Sequence, residues 1–173
     1  MTTDERNKKI AEWLKRWTVA DFDYADDQSK AFTPHHSVYD FTLKFDGEKV
    51  YSGTFNFNPD HWPKAADILE AVVDDASSYA QYRGYPDEED GMFEFMDDLG
   101  YLENAKSAKK GKDAWKGCKK EYKAIMKVVD NFCDLQLRED DDEIIEADDR
   151  LGLVYDYMNG DEFDRSTVKF EEE

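Results

Sequence analysis

The residues able to do chemistry in this chain are two cysteines, three histidines and a large store of carboxylates, and their spacing closes most options. His35 and His36 are adjacent, so they cannot share a helix face, and His61 lies far along the chain. Cys118 and Cys133 lack the C-x-x-C spacing of a zinc site. One helix is expected to carry both, which separates them well beyond the roughly 7 Å that a disulfide tolerates. "PDEEDGMFEFMD" has the length of a calcium loop centred on Gly91, but its first ligand position is Pro86 and its twelfth is Asp97 instead of glutamate. "YDYMNGDEFD" fails in the same way, with Tyr155 and Tyr157 at ligand positions. No G-x-S-x-G, P-loop or G-x-G-x-x-G is present. Cys118 sits among lysines that would lower its pKa, yet it falls on the apolar stripe of its helix, a core position. Carboxylate pairs such as Asp74-Asp75 and Asp97-Asp98 arise by chance among 42 acidic residues and single out no acid–base site. No catalytic residue, metal or cofactor is expected.

Charge is the more informative property. A formal net charge of −19 over 173 residues repels nucleic acid and acidic membrane surfaces and favours basic partner surfaces. Its layout is uneven. Between Asn104 and Lys127, nine lysines face only Asp113 and Glu121; between Asp134 and Glu173, four basic residues face sixteen acidic ones. The lysines are expected on a solvated helix face, steered in part towards the chain's own acidic elements. No apolar run approaches the ~18 residues of a membrane span, and "MTTDERNKKIAEWLKRW" lacks the apolar core of a secretory signal, so a cytoplasmic protein is expected.

The elements that must position these residues are those of an α+β domain, an antiparallel sheet packed by several helices. Ile10, Trp13, Leu14 and Trp17 recur at helical spacing and predict a first helix from about Thr3 to Trp17. "ADFDYADDQSKAFTPHH" reads as a polar connection. A central hairpin is expected over 38–57, where Tyr39, Phe41, Leu43 and Phe45 share one parity and Tyr51, Phe55 and Phe57 another row. Matching the two rows on one face favours a three-residue loop, Phe45-Asp46-Gly47, with Gly47 left-handed, Lys44 opposite Glu48 and Phe41 opposite Tyr51. A helix then follows with Asp60 as cap and Pro63 in its first turn, carrying Ile68, Leu69, Val72, Val73, Ala76 and Tyr79 inward. A short helix over 88–99 and a long one over 104–137 come next. In the long helix Trp115, Cys118, Tyr122, Ile125, Val129 and Phe132 form the best amphipathic stripe of the chain. This core domain is expected to span 1–138. An acidic extension, 139–173, follows, with either a second hairpin around Asn159-Gly160 or a tail that orders against a partner.

The runs "DILEAVVDDASSYA", "FEFMDDLGY" and "SAKKGKDAWKGCKKEYKAI" resemble, in order and spacing, a group of small uncharacterised proteins of phages and prophages. The resemblance covers roughly Pro63 to Asp134. "YAQYRGYPDEED" and the acidic extension depart from it. Small acidic phage proteins of this kind include inhibitors of bacterial immunity, among them anti-CRISPR and anti-restriction proteins. The resemblance therefore implies a stoichiometric inhibitor in the bacterial host cell. It would bind the basic nucleic-acid-binding surface of a defence effector through carboxylates that imitate phosphates. The residues expected to make that contact are Asp140, Asp141, Asp142, Glu143, Glu146, Asp148 and Asp149, with Asp87, Glu88, Glu89 and Asp90. Tyr79, Tyr82, Tyr85 and Phe93 are the expected aromatic anchors. The alternative is a phage accessory or assembly protein that binds proteins without mimicry. No direct nucleic-acid contact is expected.

Overall fold

In the computed structural model, residues 1–25, 37–57, 60–83, 108–138 and 143–172 are described, with backbone alone at 37, 108–115, 117, 118 and 143–145. The expected helix over 88–99 lies outside them. Among the described residues, four α-helices and a four-stranded mixed sheet form an α+β fold with the sheet packed against helices. In chain order these are α1 (Thr3–Leu14), β1 (Trp17–Tyr24), β2 (Ser37–Phe45), β3 (Glu48–Phe57), α2 (Ala65–Ala80), α3 (Ala108–Cys133), α4 (Glu143–Asn159) and β4 (Lys169–Phe170). The sheet order is β3-β2-β1-β4, antiparallel except for the short parallel pairing of β4 with β1.

Helix α1 starts on a capping box in which the Thr2 hydroxyl accepts from the Glu5 N–H while the Glu5 carboxylate accepts from the Thr2 N–H. It ends at Leu14, three residues short of the expected boundary, because Trp17 is claimed by the sheet, where it pairs with Phe45. The Trp13 and Trp17 rings still meet edge to face at 5.2 Å, and Trp13 also packs against Phe132 of α3. Strand β1 takes residues 20–24 of the expected polar connection, and 26–36 lie outside the described residues. Its alternation is interrupted by a bulge between Ala20 and Asp23, where Asp21 adopts φ 50°.

The hairpin closes on a two-residue turn, with Phe45 opposite Glu48, Asp46 at φ 51° and Gly47 at φ 83°. The expected three-residue loop and its Lys44–Glu48 pair are therefore corrected. Odd residues still face odd residues along the strands, because an extra residue, Val50, shifts the register and sets Leu43 opposite Tyr51 and Tyr39 opposite Phe55. The bulge, not the loop, aligns the two aromatic rows. Phe41 faces Gly53 and meets Tyr51 only diagonally, at 5.7 Å between ring centroids. Both turn residues being left-handed explains Asp-Gly at this point. Arg16 holds the turn to the end of α1: its Nε donates to the Asp46 carboxylate at 3.0 Å and its guanidinium lies over the Phe45 ring. That hydrogen bond keeps the Asp46 carboxyl below its ordinary range. Gly47→Val should destabilise the fold by roughly 1–2 kcal/mol, the cost of a left-handed Cβ, while Gly47→Asn should cost much less. Equal thermal melting of the valine and asparagine variants would contradict this.

Helix α2 begins at Ala65, and its first turn is closed by Asp67, whose carboxylate accepts from the Lys64 N–H at 2.8 Å. Pro63 stands before the helix instead of inside it, and Asp60 is not the cap. The expected inward row Ile68, Leu69, Val72, Val73, Ala76 and Tyr79 is buried, as are Tyr122, Ile125, Val129 and Phe132 of α3.

The largest departure is at the C-terminal end. Residues 143–159 form a helix, not one arm of a hairpin, and Ala147, Leu151, Val154 and Met158 enter the same core as α2 and α3. Residues on both sides of the expected boundary at 138/139 thus share one core. Asn159-Gly160 ends the helix, with the Gly160 N–H donating to the Tyr157 carbonyl at 3.1 Å. From the turn that follows, Arg165 reaches back to Asp67 and Glu70 of α2.

Candidate functional site

The bulge at Asp21 decides what the far end of the sheet displays. Before it, Trp17 and Val19 point towards the helices; after it, the even residues Phe22 and Tyr24 take that side, as the Tyr24–Tyr39 pairing requires. Phe22 stacks on Tyr39 at 4.8 Å with their planes 13° apart, and Phe57 lies 5.1 Å from Tyr39. These three rings make a floor.

Trp62 stands on that floor. Its ring is nearly perpendicular to Phe22, Tyr39 and Phe57, at centroid distances of 5.5, 5.6 and 5.9 Å. The following Pro63 is buried and disfavours helical backbone at Trp62, so the tryptophan is held in place before α2 starts. Despite these contacts Trp62 is 64% exposed, the most exposed large apolar side chain among the described residues, and Tyr24 is 50% exposed. Sheets normally cover such rings, since each large aromatic side chain gains a few kcal/mol on burial.

A concavity of about 380 Å³ opens beside Trp62, lined by Val19, Phe22, Phe170 and the acidic residues Asp21, Asp23, Glu171 and Glu172. Glu171 is engaged by Lys44, whose Nζ donates to it at 2.9 Å. Asp21, Asp23 and Glu172 are exposed and enter no ion pair among the described residues. Aromatic faces beside unpaired carboxylates suit a cation carried on a flat or apolar stem: a guanidinium can stack on a ring while donating to two carboxylates. Asp21 holds a left-handed backbone at this point, which costs of order 1 kcal/mol and is compensated by the surrounding pairing.

The acidic residues expected to bind a partner are placed differently. Asp87, Glu88, Glu89, Asp90, Asp140, Asp141 and Asp142 lie outside the described residues, and Glu143 opens α4. The three that follow serve the fold. Glu146 lies largely buried against Arg150, Asp148 accepts from the Ser77 hydroxyl at 2.7 Å, and Asp149 pairs with Arg138. Of the expected anchors, Tyr79 is buried, Tyr82 is half-buried with its carbonyl accepting from the Tyr122 hydroxyl, and Tyr85 and Phe93 lie outside the described residues. Reading the sequence passed over Trp62, although an isolated tryptophan in the polar run "NPDHWP" was a visible signal.

Lys119, Lys120, Lys123 and Lys127 lie exposed along α3, and among the described residues none of them pairs with a carboxylate. The ion pairs of α4 use arginines. Cys133 is half-buried, and burial pushes its thiol up, away from a reactive thiolate. Among the described residues no group of three or more His, Cys, Asp or Glu side chains is placed to hold a metal ion, and no helix is long and apolar enough to cross a membrane. No family model, curated protein or solved structure matches the chain.

Proposed function

We propose that the chain is a non-catalytic binding protein whose Trp62 face docks on a Lys/Arg-rich protein surface. The target class is the nucleic-acid-binding surface of a bacterial defence complex, which the protein would inhibit stoichiometrically inside the host cell. The observation that carries this reading is Trp62: an exposed tryptophan over an aromatic floor, beside a concavity lined by four acidic residues. Trp and Tyr anchors surrounded by polar rims dominate protein interfaces, and carboxylates beside them meet the guanidinium and ammonium groups that otherwise hold phosphates. The net charge of −19 adds attraction at a distance and repels free nucleic acid.

Two expectations follow. Trp62→Ala should weaken the complex by about 2 kcal/mol or more, roughly thirtyfold in affinity, with folding intact because the side chain is largely exposed. Replacing Asp21 and Asp23 by asparagine should slow association and flatten its salt dependence, since rim charges act mainly through encounter and are screened beyond about 8 Å at physiological salt. The same neutralisation of Asp140, Asp141, Asp142 and Glu143 should slow association less. Affinity capture from nuclease-treated host lysate, read by mass spectrometry, tests the target class. Recovery of a nucleic-acid-targeting effector by the parent and not by Trp62→Ala supports the reading. Recovery of capsid or replication proteins instead would favour an accessory or assembly role.

A further inference from the structure

A second surface, on another part of the fold, has the opposite charge. A groove of about 950 Å³ runs between β3 and α3. Lys119, Lys120, Lys123 and Lys127 line it from the helix and Lys49 from the strand, with Glu121 the one acidic residue among the described lining. On the strand side its wall is made of six consecutive residues, Lys49 to Thr54. Successive side chains of a strand point to opposite faces, so a wall without gaps means that the groove follows the backbone edge of β3. That strand is the last in the sheet, and among the described residues no strand pairs with its outer edge. Lysine on an edge strand discourages casual pairing, but Lys49 alone would serve for that. Four more lysines on a facing helix make a charged channel.

We propose that this groove receives an extended acidic segment of a partner protein, added as a fifth strand antiparallel or parallel to β3. The backbone groups along the outer edge of β3 supply the hydrogen bonds, and the five lysines select carboxylates on the incoming strand. A single-stranded nucleic acid would satisfy the lysines but would want open aromatic faces for its bases. Among the described residues the groove has none to give: Tyr51 is 9% exposed, and its ring lies across Gly53, so close that a Cβ there would meet it at 2.7 Å. The chain's overall negative charge opposes a long polyphosphate more than a short peptide. This proposal is independent of the Trp62 face and uses none of its residues.

The test is fluorescence-anisotropy titration of the full chain with a labelled ten-residue peptide of alternating threonine and glutamate. Two further versions of the peptide are N-methylated on one or the other set of alternate residues. A strand added at an edge uses the N–H groups of one set only. Binding should therefore survive methylation of one set and fall at least tenfold with the other. Replacing Lys120, Lys123 and Lys127 by glutamate should also lower affinity at least tenfold, with the circular dichroism spectrum unchanged. Equal binding by both methylated peptides would overturn the strand-addition proposal, as would tighter binding of an oligothymidine, or no binding of the parent peptide. Trp62→Ala should leave all of these titrations unchanged.

Discussion

Arg150→Ala is expected to destabilise the protein by about 3–5 kcal/mol, the cost of leaving one member of a buried ion pair without the other. Arg150 is only 7% exposed. Its guanidinium donates to the Glu146 carboxylate one helical turn earlier and to the Cys133 carbonyl at the end of α3. One side chain therefore neutralises a largely buried carboxylate and adds a second hydrogen bond to a helix-end carbonyl that also accepts from the Gln136 N–H. Lysine should not rescue the loss, because a single ammonium cannot replace the planar fork that reaches both groups. Replacing Arg150 and Glu146 together by methionine and leucine should cost far less than Arg150→Ala, since no charge is then stranded. Urea unfolding of the single and double variants measures this. A loss below about 1 kcal/mol for Arg150→Ala would mean that the pair contributes little to the seam between α3 and α4.

Ile125→Ala should cost roughly 2–5 kcal/mol through lost burial and the cavity left behind. Ile125 is 1% exposed, and it lies in the buried row of α3 between Tyr122 and Val129. Lys123→Ala, two residues earlier on the exposed face, should change stability by no more than about 0.5 kcal/mol. Similar unfolding midpoints for the two variants would contradict the burial of the stripe.

Where the sequence kept one period, it was legible. The 3.6-residue rows predicted the buried face of α2 and, from Tyr122 onward, that of α3, because nothing interrupts the repeat there; the side chains of Trp115 and Cys118 lie outside those described. Where the period changes inside an element, it was not. The inward residues of β1 run Trp17, Val19, then Phe22 and Tyr24, and the extra residue at Asp21 breaks the alternation that would have marked a strand. A bulge also set the hairpin register: the parity was right, but its cause lay at Val50 instead of the turn. Helix α4 had a readable signal in Ala147, Leu151, Val154 and Met158, spaced four, three and four apart. The strand-forming Val154, Tyr155 and Tyr157 beside Asn159-Gly160 outweighed it, yet the same Asn-Gly that can turn a hairpin can also end a helix. The acidic run was legible only as charge. Which carboxylates are spent on Arg138, Arg150 and Ser77, and which stay unpaired beside Trp62, depends on contacts across the chain that no local pattern contains.

The central claim, that the Trp62 face is where the partner sits, is tested most directly by photocrosslinking in the host bacterium. Benzoylphenylalanine would be placed at position 62, at Asn56 on the opposite face of the sheet, and at the exposed Asp156 of α4. The prediction is a protein adduct from position 62 that survives nuclease treatment and contains a component of a nucleic-acid-targeting complex, with little or none from positions 56 and 156. An adduct with that same component from position 56 or 156, and none from position 62, would contradict the claim.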